Sequence, residues 1–495
     1  MKLQPREYQQ KIIDSIKVNG NTLVVLPTGL GKTLIALGLM EGTSGKCVFL
    51  TPTKPLARQH SNTIVDILGD VEGGSVLVTG ESPPKKRAQL YKNHIISSTP
   101  QTIRNDIKNK IFPINEVSLI IFDEAHRAIG EYAYVPIAQS LPEQAKIIAL
   151  TASPGGDRTK IKQVLTNLRI SNIEIRTPTD PDVSTYVKKM NQKWIPVDLG
   201  EEYTEAQEIL NAVIAKYIQL LRNAGIRPQI ESKKTFLALR QKLFNMENPG
   251  KYRLIYLYTC LLHTIHIQEL LETQGRAPVF KYITKLTKTD SKSAKAVSSS
   301  TEIKRVIAIL NSSADHPKMK KLLSIMENIR EKKVIIFVQY RDQIEEIIVL
   351  LEKNGFSPRP FMGKRKSFTK KMQEETMDAF RAGEFNVLVA SSIGEEGLDI
   401  PEVDAVVFYE PVPSEIRSIQ RRGRAGRFKD GEVYILMTRA TRDEYYYWAS
   451  KKREKKMKEI LLSFQADFRA GKPLLTNKKK PNKNHGQHQL TEFLN

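Results

Sequence analysis

The sequence predicts an α/β protein in which an all-helical domain is inserted between two parallel-sheet domains. Short apolar runs alternate with helical stretches at residues 23–26, 47–50, 75–79, 94–97, 119–122 and 147–150. Such alternation is typical of a parallel sheet covered by helices. It stops at about residue 200 and resumes at residues 334–338, 386–390, 405–409 and 433–438. Apolar residues between the two regions recur at three- and four-residue spacing, which indicates helices.

These patterns divide the chain into five parts. We expect a first α/β domain at residues 1–190, a helical domain at 200–315, a second α/β domain at 320–445, a helix at 446–471 and a disordered basic tail at 472–495. In the helical domain, residues 254–271 predict a buried helix because they are apolar nearly all round. Residues 285–301 are rich in Lys, Ser and Thr and predict a mobile basic loop.

The composition favours an intracellular protein with a polyanionic partner. The 77 Lys and Arg residues outnumber the 54 Asp and Glu residues, which gives a net charge of +23. Such an excess indicates nucleic acid as the partner. Only Cys47 and Cys260 occur, so a disulfide framework and a Cys-based zinc site are both excluded. No signal-peptide core or membrane-length apolar run is present.

A Gly-rich turn follows the first apolar run and indicates a phosphate-binding loop. It reads Pro-Thr-Gly-Leu-Gly-Lys-Thr, from Pro27 to Thr33, and a helical pattern follows it. Gly29 and Gly31 would let backbone N–H groups close around a phosphate at a helix N-terminus. Lys32 can reach the terminal phosphates of a nucleotide, and the Thr33 hydroxyl can bind Mg²⁺.

A second motif supports nucleotide hydrolysis. The apolar run at 117–122 ends in Asp123, Glu124, Ala125 and His126. Acidic residues at the carboxyl end of a parallel strand lie beside the phosphate loop of such a sheet. We expect Asp123 to hold Mg²⁺ and Glu124 to orient and deprotonate the water that attacks the γ-phosphate.

Further motifs follow in the second α/β domain. The segment Gln-Arg-Arg-Gly-Arg-Ala-Gly-Arg covers residues 420–427 and contains Arg424 and Arg427, which can act as arginine fingers across a cleft. The segment at 391–401 combines hydroxyl groups, glycines and an acid after a strand. In the first domain, Thr151, Ala152 and Ser153 follow the strand after the acidic motif.

Taken in order, these motifs resemble those of superfamily 2 helicases over residues 1–185 and 325–445. The resemblance implies two RecA-like motor domains, the cofactors ATP and Mg²⁺, and ATP-driven movement along a nucleic-acid strand. By position it assigns ATP contacts to Arg6, Gln9, Thr28, Gly29, Gly31, Lys32, Thr33, Gly397 and Asp399, and catalysis to Lys32, Asp123, Glu124, Gln420, Arg424 and Arg427. It assigns strand contacts to Pro52, Thr53, Lys54, Thr99, Pro100, Gln339 and Ser391, and coupling to His126, Thr151 and Ser153.

The helical insertion narrows the resemblance to archaeal Hef and its eukaryotic relatives such as FANCM, which act on forked and branched DNA. This resemblance implies a helicase portion whose full-length form adds an XPF-like nuclease, with a cytoplasmic, chromosome-associated location in an archaeon. Lys285 and Lys288 of the insertion could grip duplex arms, although a solvated helical face is the alternative. Two other functions stay open: a double-stranded-RNA-stimulated ATPase of the RIG-I or Dicer type, and a non-catalytic DNA-binding scaffold tethered to a sliding clamp.

The tail carries a pattern of its own. Gln487, Leu490, Phe493 and Leu494 fit the spacing of peptides that bind the sliding clamp PCNA, with Leu494 where a second aromatic residue is usual. Leu490 and Phe493 are three residues apart, so one helical turn would place both on one face. The alternative is a disordered tail in which apolar residues occur by chance.

Overall fold

Two parallel β-sheets and a helical bundle form the part of the chain that the structure, a computed structural model, describes. These residues are 3–69, 71–186, 190–230, 233–247, 250–363, 369–391, 401–412 and 431–472, without the side chains of residues 190, 233, 234 and 370. Within these ranges no helix has the length and apolarity needed to cross a membrane.

The first sheet has seven parallel strands in the order β3-β4-β2-β5-β6-β1-β7. They are β1 (Thr22–Val25), β2 (Lys46–Leu50), β3 (Ser75–Val78), β4 (Ile95–Ser98), β5 (Val117–Phe122), β6 (Lys146–Thr151) and β7 (Asn172–Ile175). Most are continuous apolar runs because helices cover both faces of the sheet. The predicted parallel α/β architecture is therefore confirmed here.

Eight helices surround this sheet. They are α1 (Glu7–Asn19), α2 (Lys32–Glu41), α3 (Lys54–Leu68), α4 (Pro84–Leu90), α5 (Pro100–Lys108), α6 (Tyr134–Ser140), α7 (Arg158–Asn167) and α8 (Pro181–Ser184). Helices α2, α3 and α5 begin within two to seven residues of the ends of β1, β2 and β4. Their N-termini therefore all lie at the carboxyl edge of the sheet.

The second sheet has six parallel strands in the order β10-β11-β9-β12-β13-β8. They are β8 (Met190–Val197), β9 (Val334–Phe337), β10 (Pro358–Phe361), β11 (Val387–Ala390), β12 (Ala405–Phe408) and β13 (Gly431–Thr438). Its helices are α15 (Pro317–Asn328), α16 (Arg341–Lys353), α17 (Lys370–Ala382) and α18 (Arg442–Arg469). Strand β8, which our sequence analysis missed, pairs with β13. The chain thus enters the second sheet before it forms the insertion.

The inserted bundle comprises α9 (Glu201–Asn223), α10 (Lys233–Phe244), α11 (Lys251–Thr273), α12 (Arg276–Thr287), α13 (Lys292–Ser299) and α14 (Thr301–Ser312). The predicted mobile loop at 285–301 is wrong, because most of it lies in α12 and α13. Ala294 and Val297 of α13 are buried in the bundle core. Lys281 of α12 forms ion pairs with Asp342 and Glu345 of α16, which docks the bundle on the second sheet.

Helix α18 bridges the two sheets. It begins four residues after β13, and Met457, Ile460, Leu461 and Phe464 in its second half belong to the core of the first sheet. The side chain of Gln465 also donates a hydrogen bond to the Ile173 carbonyl at 2.7 Å. Helix α18 therefore links the two α/β domains a second time, in addition to the insertion that connects them along the chain.

Candidate functional site

The phosphate loop lies between β1 and α2, as predicted. Gly29 and Gly31 adopt φ values of +85° and +72°, a conformation that side chains rarely tolerate. A Cβ atom at Gly31 would lie 2.4 Å from Nε2 of Gln9. The Lys32 ammonium donates to the Leu26 carbonyl at 3.0 Å, so it lies over the loop. The loop is shaped for an anion at the N-terminus of α2.

Gln9 contacts this loop directly. It is completely buried, its Nε2 donates to the Leu30 carbonyl at 3.1 Å, and its Oε1 accepts from the Arg6 backbone N–H at 2.8 Å. Tyr8 donates to the same carbonyl at 2.7 Å. The arrangement ties the start of α1 to the phosphate loop. Adenine recognition by Gln9 and a nucleotide contact by Arg6 remain predictions.

The acidic motif sits at the carboxyl end of β5. The Tyr134 hydroxyl donates to the Asp123 carbonyl at 2.6 Å and holds the turn after the strand. Glu124 has a φ of +50°, which is unusual for a residue with a side chain. Its buried Oε2 has no hydrogen bond among the described residues and lies 3.4 Å from His126 Nδ1.

Glu124 is held as a carboxylate. Burial alone raises its pKa, but contact with His126 and the charges of Lys32 and Arg127 outweigh burial and lower the pKa. A buried carboxylate oxygen without a hydrogen bond is able to accept one from a water molecule. Glu124 is thus unprotonated and able to hold a water molecule, which is the first requirement of a base for phosphate hydrolysis.

The three predicted coupling residues form one chain of contacts. His126 Nδ1 lies 3.3 Å from the Thr151 hydroxyl, which accepts from the Ser153 backbone N–H at 3.1 Å. The Ser153 hydroxyl in turn donates to the sulfur of Met457 at 3.0 Å. The acidic motif is therefore connected through β6 to α18, a contact that the sequence did not suggest.

The predicted strand contacts of the first domain gather at one edge. Thr53 precedes α3 and Thr99 precedes α5, with Pro100 in the first turn of α5. Both helices follow neighbouring strands, β2 and β4, so their N-termini lie side by side. Backbone N–H groups at such ends favour phosphates. Pro52 lies at the same edge, and Lys54 is engaged with Glu81 at 2.9 Å.

Two predicted strand contacts of the second domain lie at its carboxyl edge. Gln339 follows β9, and Ser391 follows β11 with its hydroxyl buried and without a hydrogen-bond partner among the described residues. Other predicted residues lie outside the described residues: Gly397, Asp399, Gln420, Arg424, Arg427, Gln487, Leu490, Phe493 and Leu494. Lys285 on α12 and Lys288, the residue after this helix, are both exposed.

A buried polar cluster was missed by the sequence analysis. Lys318, completely buried in the first turn of α15, forms an ion pair with Asp443 of α18 and donates to the Thr273 carbonyl at 3.1 Å. Glu410, which follows β12, accepts from the Gln339 backbone N–H and from Gln274 Nε2. The cluster thus joins the insertion, the second sheet and α18. Lys318 looked like one of many exposed lysines in the sequence.

His60 was also missed. It lies on α3 with its ring stacked on Phe49 at 4.6 Å, and its Nε2 is 3.6 Å from Oδ2 of Asp123. Its position two turns into a helix gave no sequence signal, because the contact depends on how α3 packs over β5.

The described residues of the first domain fit a nucleoside triphosphate with Mg²⁺. The glycine loop leads into the N-terminus of α2 with Gly29 and Gly31 in positive φ, and Lys32 supplies positive charge there. Asp123 and the Thr33 hydroxyl are hard oxygen donors of the kind that Mg²⁺ prefers. The buried Glu124 oxygen, which has no hydrogen bond among the described residues, provides the remaining polar atom.

Comparison with protein families gives three matches in chain order. Residues 6–161 match the DEAD/DEAH box helicase model, and residues 317–429 match the helicase conserved C-terminal domain. Residues 202–333, the insertion and α15, match the helical-bundle model of candidate ATP-dependent RNA helicases.

Comparison with individual proteins agrees. The crystal structure of the Pyrococcus furiosus Hef helicase domain superposes with a TM-score of 0.70 and 42% identity, covering 90% of this chain and 98% of that one. A candidate ATP-dependent RNA helicase of Methanocaldococcus jannaschii is 40% identical over 93% of this chain and 61% of its own length. The ATP-dependent DNA helicase fml1 of Schizosaccharomyces pombe is 34% identical over 88% of this chain and 57% of its own length. The chain thus spans less than two thirds of either curated relative.

Proposed function

Since this chain belongs to the Hef and FANCM family of superfamily 2 helicases, we propose that it is an ATP-driven motor that acts on forked and branched DNA. One observation carries the proposal. Lys32, Asp123 and Glu124 meet at one edge of the first sheet, where the carboxylate of Glu124 is buried and ionised. Relatives named as DNA helicases, such as fml1, favour DNA. The Methanocaldococcus jannaschii relative is named as an RNA helicase, so the test includes RNA.

Hydrolysis follows from the roles of these side chains. The loop amides and Lys32 bind the β- and γ-phosphates of ATP, and Glu124 accepts the proton of the attacking water. Asp123 and Thr33 would hold Mg²⁺, which neutralises charge on the phosphates. Arg424 and Arg427 of the second domain complete the site as arginine fingers, with Gln420, Gly397 and Asp399 beside them.

Movement follows from the opening and closing of the cleft between the two sheets. Pro52, Thr53, Lys54, Thr99 and Pro100 contact one stretch of the strand, and Gln339 and Ser391 contact another. Since both sets lie at helix N-termini or strand ends, they contact phosphates rather than bases, and binding does not depend on the nucleotide sequence of the strand. Changes at Glu124 pass to α18 through His126, Thr151 and Ser153.

The insertion supplies the preference for branches. Lys285 on α12, Lys288 just after it and Lys292 at the start of α13 are exposed, and none of them forms an ion pair within the described part of the chain. Lys281 has a different role, because it is engaged with the second sheet. The free lysines are therefore available to the phosphates of a duplex arm.

The test compares ATP turnover on single-stranded, duplex, forked and four-way DNA with turnover on matched RNAs. Forked DNA should stimulate turnover most. Glu124→Gln should bind ATP but lose about 10²- to 10⁴-fold in turnover, because the water loses its base. Lys32→Ala should lose nucleotide-dependent activity altogether.

Glu131→Gln is the matched control, because Glu131 is an exposed carboxylate in the loop after the acidic motif. Near-normal turnover in Glu124→Gln would refute the assignment of the base. Stronger stimulation by duplex RNA than by any DNA would instead place the chain with the RNA-stimulated ATPases.

Two partners complete the proposal. The tail residues Gln487, Leu490, Phe493 and Leu494 would tether the motor to a PCNA-type clamp at replication forks, and an XPF-like nuclease would follow in a longer form of the protein. Calorimetry with a peptide of residues 480–495 tests the clamp contact. Equal binding after Leu490→Ala and Phe493→Ala would exclude it.

A further inference from the structure

The bridging helix α18 presents an unusual exposed face. Tyr445 and Trp448 are 54% and 60% exposed, although large aromatic side chains are normally covered. They lie three residues apart, so they share one face of the helix. Lys452, Lys455 and Lys456 continue the same face and are exposed. We call these five residues the aromatic–lysine face.

The opposite side of α18 accounts for its packing. Asp443, Ser450, Met457, Leu461 and Phe464 are buried there against the two α/β domains. Tyr446 donates to Glu269 at 3.2 Å, and Tyr447 lies 3.7 Å from Trp194 between ring centroids. The ring of Trp448 lies 4.7 Å from that of Tyr447, and the ring of Tyr445 lies 6.1 Å from that of Tyr446, yet both residues stay more than half exposed.

The three lysines of the face carry free charge. None of them forms an ion pair within the described part of the chain, and the one acidic residue continuing the face, Glu459, lies beyond them. From Tyr445 to Lys456 the face extends about 16 Å at 1.5 Å per residue. That length suits a few nucleotides of a strand.

The helix that carries this face runs beside the proposed motor surfaces. Tyr447 and Lys451 of α18 line a pocket with Pro411 and Val412, which follow β12 at the carboxyl edge of the second sheet. Further along, the Arg453 carbonyl approaches Gly156 so closely that a Cβ there would lie 2.8 Å from it. Gly156 follows β6 at the carboxyl edge of the first sheet.

We propose that the aromatic–lysine face of α18 binds single-stranded nucleic acid, with bases stacked on Trp448 and Tyr445 and phosphates bound by Lys452, Lys455 and Lys456. Aromatic side chains next to basic ones are the combination that binds unpaired strands, since stacking needs a base that is not already stacked in a duplex. The face adds a strand contact outside the helicase motifs. It extends the proposed function, but strand binding here does not require ATP hydrolysis.

The two tryptophans of the chain make the test direct. A short oligothymidylate is titrated into the Lys32→Ala protein without nucleotide, while tryptophan emission and fluorescence anisotropy of the labelled oligonucleotide are recorded. Emission should be quenched with the same midpoint as the anisotropy change. Trp448→Phe should remove the quenching yet keep the affinity, because Trp194 is packed on Tyr447 and cannot stack on a base.

Affinity should fall about tenfold in Trp448→Ala, which removes a stacking platform. Lys452→Gln and Lys455→Gln should each reduce the slope of log affinity against log salt by about 0.7. Tyr252→Ala, which changes a 74% exposed tyrosine of the insertion, is the matched control and should bind normally.

Oligonucleotide binding that leaves Trp448 emission and its quenching by acrylamide unchanged would overturn the proposal. Equal affinities of Trp448→Ala and Tyr252→Ala would do so as well. Because the assay uses a protein that cannot turn over ATP, failure of the proposed motor activity would not produce either result. An unfolding midpoint in urea that matches that of the parent protein, measured by circular dichroism, shows that each variant is folded.

Discussion

Replacing Glu410 by Gln should make the second α/β domain less sensitive to pH. Glu410 is buried where β12 ends, and it accepts hydrogen bonds from the Gln339 backbone and from Gln274. The amide of a glutamine keeps one acceptor for Gln339. Its NH₂ group can donate to Gln274 Oε1, a buried atom that has no hydrogen bond among the described residues, once the Gln274 amide turns over.

The magnitude follows from the pKa. Burial raises the pKa of Glu410 from 4.5 to about 7, with Asp443 adding to the rise and Lys318 opposing it. This difference corresponds to about 3 kcal/mol at 1.36 kcal/mol per pKa unit. Because the folded protein holds the proton more tightly than the unfolded chain, the stabilisation is complete below pH 4.5 and is lost as the pH rises towards 7.

Asp443 adds to the same trend, since burial raises its pKa despite the ion pair with Lys318. His316, which caps α15, has its pKa lowered to about 3 by burial and by Lys318, so it stays neutral across this range. The pH dependence assigned to Glu410 is therefore the part that the glutamine variant removes.

The assay is urea unfolding between about pH 5 and pH 8, followed through Trp194 in a Trp448→Phe background. Trp194 lies in β8 of the second sheet, so its emission reports that domain. The native protein should lose up to about 3 kcal/mol more than Glu410→Gln over this range. The exposed Glu384→Gln should behave as the native protein does. An equal loss in Glu410→Gln would refute the reasoning.

Two other changes have defined outcomes. Lys318→Met should lower the free energy of unfolding of the second domain by about 3–5 kcal/mol, because it leaves Asp443 buried without its partner, and adding Asp443→Asn should restore much of the loss in the same urea assay. The double change Lys285→Ala with Lys288→Ala should weaken binding to forks more than to single strands and lower the salt slope by about 0.9 for each lost phosphate contact, as anisotropy titrations would measure. The control is Lys304→Ala, on the exposed side of α14, which should change neither the affinity for forks nor the salt slope. Equal losses of affinity for forks and for single strands in the double variant would exclude the branch role.

Local sequence patterns were sufficient for the elements around the ATP site. The phosphate loop and the acidic motif each follow an uninterrupted apolar run, because β1 and β5 are covered on both faces. In each of these strands the apolar run, the turn that ends it and the functional side chains occupy a few consecutive positions, so one short segment of sequence shows all three. Helix α11 could be predicted for the same reason. It is buried on most sides, so its residues are apolar nearly all round, and the run is too long to be a strand.

The remaining features depend on contacts that are distant in sequence. Strand β8 contains Asn191, Gln192 and Lys193 and has a weak pattern, and it is a strand because it pairs with β13, more than 200 residues later. Helix α13 looked like a loop because Lys and Ser dominate it, yet one side packs through Ala294 and Val297 into the bundle. Local propensity is a weak guide where tertiary packing decides the structure.

Polar groups are buried where three parts of the chain meet, and they fix the relative positions of these parts. An apolar junction between the insertion, the second sheet and α18 would hold them together without fixing their relative positions. Lys318 has instead one partner on α11 and another on α18, and Glu410 joins Gln274, which follows α11, to the backbone of Gln339. Because an unpaired buried charge costs several kcal/mol, these contacts form together or not at all. A displacement of α11 by a bound duplex arm would therefore act on Gln339, a proposed strand contact, which gives branch recognition a direct route to the motor.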